Sequence, residues 1–328
     1  MKKDTIVVTG GAGFIGSALI WALNRAGEDT IHVVDSLGTS EKWKNLAPLR
    51  FADYQEKDDF LDDLLAGRFD GRIKAVFHLG ACSSTTEKDI RYLVKNNVDY
   101  SRDLARYCVA RDIRFIYASS AATYGDGTAG YEDDSESIRD LRPLNGYAFS
   151  KQLFDLWVLK NGLFDTVVGL KYFNVFGPNE YHKEEMRSMV CKGYEQIRDT
   201  GSIRLFMSYR DGYRDGGQQR DFIYVKDAVK MTLFFYQNPT IAGLFNIGSG
   251  AAQTWNTLAG DIFTAMGLKP RIQYIAMPAR LKGTYQYYTR ADLSRIRHAG
   301  YREPITPLGE AIRDYVQNYL SRSEHLTL

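Results

Sequence analysis

The sequence predicts an α/β fold, namely a doubly wound parallel sheet with a smaller mixed domain on its C-terminal side. Through the first half of the chain, buried-strand patterns alternate with amphipathic helix patterns, which is the order of repeated βαβ units. The first apolar run, Ile6–Val8, leads into a glycine-rich turn and then a helix pattern. Right-handed crossovers would place helices on both faces of the sheet, with ligands beyond the carboxyl ends of its strands.

The elements of the first half follow one another regularly. We expect strands at 6–8, 31–34, 75–79, 113–118 and 167–172, and helices at 14–26, 58–65, 92–109 and 147–159. After about residue 175 the alternation loosens. Helix patterns at 186–197, 228–236, 258–266 and 308–319 then alternate with extended runs at 222–225 and 244–247. The polar, glycine-rich insertion 209–219 is predicted to be a mobile surface loop, and residues 321–328 are expected to fray.

Composition narrows the class of protein. The 328 residues carry a net charge of +2, which favours neither nucleic acid nor an anionic membrane surface as a partner. No apolar run is long enough to span a bilayer, and the start Met1–Asp4 leaves no room for a signal peptide. Cys82, Cys108 and Cys191 form no metal or redox pattern, so we expect reduced thiols, a cytoplasmic protein and no structural metal.

The glycine-rich turn predicts a dinucleotide site. Gly10 allows a sharp turn, Gly13 lets backbone N–H groups approach a pyrophosphate, and Gly16 allows close packing of helix and strand. A glycine triplet alone fits a plain strand-to-helix turn equally well. However, the second strand ends in Asp35, where a carboxylate can accept hydrogen bonds from an adenosine ribose. We therefore predict a Rossmann-type sheet.

The domain boundaries follow from that site. We place a dinucleotide-binding domain at 1–175, with strands returning from about 221–248, and a non-contiguous, mainly substrate-binding domain at 176–328. Polar loops at 80–86, 119–125 and 174–178 follow predicted strands and should meet at the ligand-binding edge.

A tyrosine and a lysine one helical turn apart suggest acid–base chemistry. Tyr147 and Lys151 share a helix face, and a nearby ammonium group lowers the pKa of a phenol. Tyr-x-x-x-Lys alone is common on amphipathic helices. Ser120, at the end of a predicted strand, could hold a substrate oxygen beside the phenol.

These residues together resemble the extended short-chain dehydrogenase/reductase superfamily. Within it, the chain is similar to the ADP-L-glycero-D-manno-heptose 6-epimerase family. The likeness extends over essentially the whole chain, and the segments that carry it are 9–17, 80–87, 117–125, 172–175 and 281–293.

The resemblance implies an NADP-dependent isomerase, with NAD also possible, that inverts C6 of ADP-D-glycero-D-manno-heptose through a transient 6-ketone. It would supply the heptose precursor of the lipopolysaccharide core. The two epimers present the 6-oxygen in different positions, so one base cannot serve both. The family implies Tyr147 and Lys183 as the two bases, Lys151 as the group that orients the nicotinamide ribose, and Ser120 as the group that holds the reacting oxygen.

The resemblance also implies the remaining contacts. Lys42 and Lys57 would offset the repulsion between Asp35 and a 2′-phosphate. Arg220 could pair with the diphosphate of ADP as a bidentate donor. The full cofactor set is Gly10, Gly13, Phe14, Ile15, Gly16, Asp35, Ser36, Lys42, Lys57, Leu79, Gly80, Ala81, Cys82, Ser83, Asn96, Tyr147 and Lys151. The substrate set is Ser120, Asn174, Val175, Lys183, Arg220 and Tyr285.

The chain departs from the family pattern at a few positions. Leu79 replaces an acid, Glu184-Glu185 replaces a Gly-Ser pair, and Lys192 stands where a histidine contacts substrate. The insertion 209–219 lies beside the expected nucleotide site. These changes leave the redox residues intact and put the exact sugar in question.

Three alternatives differ from this reading in the residues that they require. A 4,6-dehydratase of the same scaffold needs an Asp-Glu pair where Ala121 and Ala122 stand. An epimerase of another nucleotide sugar is the stronger competitor. A cofactor-sensing scaffold would be expected to lose Tyr147 or Lys151. The expected partners are the ADP-heptose substrate and further copies of the chain.

Overall fold

The computed structural model describes residues 4–282 and 285–328. Met1–Lys3, on which the absence of a signal peptide partly rested, and Gly283, within one of the family-like segments, lie outside the described residues. Across the described ranges no helix is both long and apolar enough to cross a membrane. The same ranges contain no group of three or more His, Cys, Asp or Glu side chains arranged for a metal ion.

The described residues form three sheets, and the largest contains seven parallel strands. In chain order the strands are β1 (Thr5–Thr9), β2 (Ile31–Asp35), β3 (Asp53–Glu56), β4 (Ile73–His78), β5 (Arg114–Ser120), β6 (Val168–Tyr172), β7 (Asn174–Phe176), β8 (Ile203–Phe206), β9 (Gln219–Tyr224), β10 (Gly243–Ile247), β11 (Ala252–Thr254) and β12 (Ile272–Ile275).

The order of the large sheet is β10-β6-β5-β4-β1-β2-β3. The chain therefore builds outward from β1 in one direction and then restarts at β4 in the other. The carboxyl ends of β1 and β4 lie at this reversal, where loops diverge to opposite faces and leave a crevice. The predicted doubly wound, Rossmann-type sheet is confirmed.

The helices of the described residues cover both faces of this sheet and also build the smaller part. In chain order they are α1 (Phe14–Arg25), α2 (Lys57–Leu65), α3 (Ile90–Val94), α4 (Tyr100–Ala110), α5 (Gly146–Lys160), α6 (Met189–Thr200), α7 (Val225–Gln237), α8 (Trp255–Ala265), α9 (Ala279–Lys282), α10 (Ser294–His298) and α11 (Leu308–Asn318). Alternate residues of each strand enter opposite cores, because side chains alternate along a strand. Val8 packs with α1 and α7, whereas its neighbour Val7 packs with α2, α4 and α5.

The smaller part is mixed. Strands β11, β9 and β7 form one sheet, in which β9 pairs antiparallel with β11 and parallel with β7. Strands β8 and β12 pair in parallel. Helices α6, α8 and α11 belong to the same hydrophobic core as the α1 and α7 face of the large sheet. The smaller part therefore packs directly onto the α1 and α7 face of the seven-stranded sheet.

Three local expectations need correction. The polar run Asp53–Glu56 forms β3, which the sequence patterns did not predict. Of the two later extended runs, only the one in β10 joins the large sheet, whereas β9 belongs to the three-stranded sheet. The C-terminal tail does not fray, because Leu326 is buried in the first hydrophobic core.

Candidate active site

A cavity of about 1280 Å³ opens at the carboxyl edge of the large sheet. It extends from the glycine turn after β1 to side chains of the smaller part, such as Trp255 and Tyr285. Every residue predicted for cofactor or substrate binding lines it, with the exception of Arg220.

The glycine turn has the geometry that the sequence suggested. Gly10 has a φ of +68°, in the left-handed region, and a Cβ there would approach Gly80 N to 2.6 Å. The turns after β1 and β4 therefore touch at this point. Gly13 precedes α1 in an extended conformation, and no side chain caps the helix. The first N–H groups of α1 thus face the cavity with the positive end of the helix dipole, an arrangement suited to a pyrophosphate.

Asp35 closes this end of the cavity and is already partly neutralised. Its Oδ2 accepts from Ala12 N over 2.9 Å, which ties the carboxylate to the glycine turn. Its Oδ1 accepts from Lys42 Nζ over 2.7 Å. Lys57, across the cavity wall, pairs with Asp58 over 2.6 Å. Two lysines therefore lie where the sequence argument placed them, one of them in direct contact with Asp35.

The loop after β4 is held by Asn97, a residue that the sequence analysis did not identify. Its side chain accepts from Cys82 N over 2.8 Å and donates to Cys82 O over 3.0 Å and to Ser150 Oγ over 2.9 Å. Asn97 lies in a π-helical turn, Lys95–Asp99, inserted into the long helix predicted at 92–109. The unfavourable Asn96-Asn97 pair inside a helix pattern was the only signal of this distortion.

Tyr147 and Ser120 meet across the reacting end of the cavity. Burial raises the pKa of the Tyr147 phenol, and its hydrogen bond with the Ser120 hydroxyl acts in the opposite direction. The expected lowering of this pKa by Lys151 stays a prediction, because the net shift is upward and burial is its largest cause. Burial outweighs any influence of the ammonium group, whose Nζ donates to the Ala118 carbonyl over 2.8 Å.

Lys151 is itself perturbed. Burial lowers its pKa to about 8, against the opposing charge of Asp155 one helical turn further on. It therefore remains mainly cationic at neutral pH. Ala121 and Ala122 follow Ser120 in a 3₁₀ turn, so this position carries no carboxylate for a dehydratase reaction.

Lys183 enters the cavity from a 3₁₀ turn, Tyr181–Met186. Burial lowers the pKa of its ammonium group, partly offset by the charge of Glu180. The Nζ atom lies 5.4 Å from the centre of the Phe14 ring, so it borders the start of α1. Glu184 follows with a φ of +46°, a conformation that suits glycine rather than glutamate.

The substrate end of the cavity is aromatic. Tyr285 lines it and accepts a hydrogen bond from Trp255 Nε1 over 3.0 Å. Arg220 lies behind these rings, with its guanidinium 5.1 Å from the Tyr285 ring centre and one Nη1 donating to Gln219 O. Burial lowers its pKa. Asn174 and Val175 complete this wall from β7.

Two of the departures from the family pattern, Glu185 and Lys192, concern the predicted substrate contacts. Glu185 and Lys192 line the cavity, and Lys192 Nζ donates to Glu185 O over 3.0 Å. The insertion divides into two parts. Residues 209–212 are exposed, as expected of a surface loop, whereas Gly216, Gly217 and Gln218 are buried.

Comparison with known proteins is consistent with this geometry. The NAD dependent epimerase/dehydratase family matches residues 6–248. The ADP-L-glycero-D-manno-heptose-6-epimerase of Nitratidesulfovibrio vulgaris is 51% identical over 318 residues, covering 97% of this chain and 98% of the relative. The chain belongs to this family, in its ADP-L-glycero-D-manno-heptose-6-epimerase branch.

Two further members support the assignment. The enzyme of the same name from Fusobacterium nucleatum is 42% identical and covers 97% of this chain and 99% of the relative. The crystal structure of the Helicobacter pylori ADP-L-glycero-D-manno-heptose-6-epimerase aligns with a TM-score of 0.81 at 27% identity, over 97% of this chain and 96% of that one. The resemblance drawn from the sequence is therefore confirmed.

Proposed function

We propose that the protein inverts C6 of ADP-D-glycero-D-manno-heptose, giving ADP-L-glycero-D-manno-heptose for the lipopolysaccharide core. The observation that carries the proposal is the presence of two separate proton-transfer groups, Tyr147 and Lys183, on one cavity that also contains an uncapped helix start. A reaction that removes and returns a hydride at one carbon needs both, because the 6-oxygen occupies a different place in each half.

A bound nicotinamide dinucleotide would supply the acceptor and donor of hydride at the heptose C6. The residues fit such a group, because Gly10 and Gly13 admit a close backbone approach and Asp35 faces the same cavity. Tyr147 takes the 6-hydroxyl proton of one epimer, with Ser120 holding the same oxygen. Lys183 does so for the other epimer. Its lowered pKa favours the neutral amine that a base requires.

We propose NADP as the preferred cofactor, with NAD as the alternative. Lys42 pairs with Asp35 over 2.7 Å, which reduces the repulsion that a lone carboxylate would exert on a 2′-phosphate. Lys57 lines the same cavity and adds a second positive charge. Lys151, one helical turn after Tyr147 on α5 and lining the same cavity, would orient the nicotinamide ribose.

The nucleotide end of the substrate would be recognised by Arg220 and Tyr285. Arg220 is buried; its guanidinium donates to the Gln219 carbonyl and lies over the Tyr285 ring. A buried guanidinium that forms no ion pair with any described carboxylate is well suited to a diphosphate. Asn174 and Val175 would contact the sugar between this end and Tyr147.

We also propose a cytoplasmic location and self-association. The described cysteines Cys82, Cys108 and Cys191 are free thiols, which suits a reducing compartment. Four large apolar side chains around α3 and the start of α5 are exposed, namely Ile90, Tyr92, Leu144 and Phe149. Light scattering at several protein concentrations tests whether copies associate.

The decisive experiment is incubation of the purified protein with ADP-D-glycero-D-manno-heptose. Proton NMR should show conversion to the L-glycero epimer, and denaturation should release NADP for identification. UDP-glucose and a UDP-hexosamine serve as control substrates. No conversion of the ADP-heptose, or faster conversion of a control, would assign the site to another nucleotide sugar.

A further inference from the structure

The last residues of the chain are packed against the site. Leu326 is 1% exposed, and its backbone N–H donates to Asn179 Oδ1 over 2.9 Å. The Glu324 carbonyl accepts from the Tyr181 hydroxyl over 2.7 Å. Asn179 and Tyr181 belong to the short segment that leads directly to Lys183. The tail thus holds that segment at two points.

The tail also holds the nucleotide side of the cavity. His325 Nδ1 donates to Asn45 Oδ1 over 2.9 Å, and the imidazole packs edge-on against the Tyr181 ring at 5.0 Å. The Thr327 carbonyl accepts from Trp21 Nε1 of α1 over 2.9 Å. We refer to residues 324–327 as the C-terminal clamp.

The two asparagines under the clamp link it to the glycine turn. Asn45 Nδ2 donates to the carbonyls of Ala12 and Asn179, each over 3.0 Å. Asn179, fully buried, donates from Nδ2 to Ser17 Oγ of α1 over 3.0 Å. One hydrogen-bond network therefore connects the C-terminal clamp, the glycine turn and the segment that carries Lys183.

That segment needs support from outside itself. Asn179 has a φ of +78° and Glu184 a φ of +46°, so residues in sparsely populated conformations flank Lys183 on both sides. Such residues persist only when their surroundings hold them. The contact of Lys183 Nζ with the Phe14 ring is broad and non-directional, so the backbone sets where the amine points.

We propose that the C-terminal clamp positions Lys183 for proton transfer and has no direct part in the transfer by Tyr147. This proposal rests on the proposed function of Lys183. Displacement of a reacting group by about 1 Å costs on the order of 100-fold in rate. Loss of the clamp should therefore slow one half of the reaction and leave the other half unchanged.

The test compares the two C6 epimers on a chain that ends at Ser323. Single-turnover reduction of the bound nicotinamide is measured by absorbance with each ADP-heptose epimer in turn. A Lys183→Met variant identifies the epimer whose oxidation uses Lys183. With that epimer the shortened chain should be slower by about 100-fold, whereas with the other epimer it should match the full chain.

Two further variants keep the test decisive. Removing only Leu328, which is 47% exposed, leaves every clamp contact in place and should change neither rate. His325→Phe keeps the ring against Tyr181 and removes the hydrogen bond to Asn45, so it should reproduce the one-sided loss in part. This variant decides the question if the shortened chain does not fold. A peptide of residues 324–328 added to a folded shortened chain should restore the rate of the half-reaction that the truncation slowed.

If the shortened chain lost rate equally with both epimers, or with neither, the clamp proposal would be wrong. Failure of the proposed function would be recognised separately. The full-length chain would then show no reduction of the nicotinamide with either epimer, and the clamp proposal would fail with it.

Discussion

At the residue scale, the chemistry depends on where individual side chains lie relative to one cavity. The sequence identified Tyr147, Lys151, Ser120 and Lys183 by type and family likeness, and all four line the same cavity. The sequence could not identify Asn97 or Asn179 in this way, because each of them bonds to residues on other elements that only the fold brings close. The hydrogen bonds of these two asparagines form only in the folded chain, and no pattern of neighbouring residues predicts them.

Tyr147→Phe removes the phenol proton and keeps the ring. We expect kcat to fall by about 100-fold or more, because a general acid–base group is lost, with the bound cofactor retained. The measurement is turnover of ADP-heptose beside absorbance of the released dinucleotide. Tyr107→Phe, which loses only a hydroxyl bonded to Asp70, is the matched control and should retain wild-type activity. Normal turnover by Tyr147→Phe would remove the phenol from the mechanism.

Lys183→Met removes the second proton-transfer group and keeps most of the aliphatic stem. Steady-state turnover should again fall by about 100-fold, since the two half-reactions need different bases. Lys269→Met, at an exposed lysine, is the control. Full activity in Lys183→Met would indicate a single base that serves both epimers.

Glu184→Gly should stabilise the protein, since glycine adopts a φ of +46° without a steric cost. We expect a gain of about 1 kcal/mol in the free energy of unfolding, measured by denaturant titration. Glu185→Gly, at the neighbouring position with no positive φ, should give no gain. A loss of stability in Glu184→Gly would mean that the glutamate side chain has contacts that outweigh the backbone strain.

At the scale of elements, α5 places three functional groups on one face. Tyr147, Lys151 and Asp155 are successive residues of one stripe, four positions apart. Asp155 is fully buried and accepts from Tyr117, Ser119 and Lys171 over 2.9, 2.6 and 3.1 Å. The helix thus couples the active-site lysine to a carboxylate fixed beneath the end of β5.

The Asp155→Asn/Lys171→Met double variant should move the alkaline limb of the kcat/KM profile to lower pH. In the proposed mechanism Lys151 acts as a cation, so activity should be lost as pH rises through its pKa of about 8. The negative charge of Asp155 raises the pKa of Lys151, so its removal should lower that pKa and move the alkaline limb to lower pH. Replacing Lys171 as well avoids an unpaired buried ammonium group.

Asp227→Asn provides the control for this pH measurement. Asp227 is also a buried carboxylate, and it accepts from Thr306 N over 2.9 Å, away from the cavity. Its replacement should leave the pH profile unchanged. An unshifted limb in the double variant would show that Asp155 does not act on Lys151.

Strong periodic patterns predicted the elements well, and weak ones did not. Strands β1, β2 and β4 to β6 and helices α1 and α5 carry apolar runs or stripes, and each was predicted within a few residues. Strand β3 is a polar edge strand with the sequence Asp-Tyr-Gln-Glu, so it has no such signal. The tail at 321–328 is short and mixed, and its order comes from partners such as Asn179 that only the folded chain supplies.

At the scale of the whole molecule, the cavity is shared between the large sheet and the smaller part. The glycine turn and Tyr147 come from the former, and Trp255 and Tyr285 from the latter. A substrate held by its nucleotide at one end can rotate its reacting carbon at the other without leaving. The division into domains at residue 175 remains a prediction, since both parts share one hydrophobic core.

Retention of the substrate leads to an isotope prediction. Turnover in deuterium oxide should place no deuterium on C6, because the same hydride returns to the carbon from which it came. Mass spectrometry and proton NMR of the product make the measurement, and recovered substrate is the internal control. Deuterium at C6 would indicate inversion by deprotonation of that carbon.

One of the two edge strands of the large sheet, β10, is made after the chain has already passed through β7 to β9. A nascent polypeptide emerging from the ribosome therefore cannot finish its nucleotide-binding half before much of the other half has been synthesised. The contact between Leu326 and Asn179 forms later still. A nascent chain that has not yet reached Leu326 would lack the contacts that we propose to align Lys183, so its half of the reaction should appear only after these residues have been made.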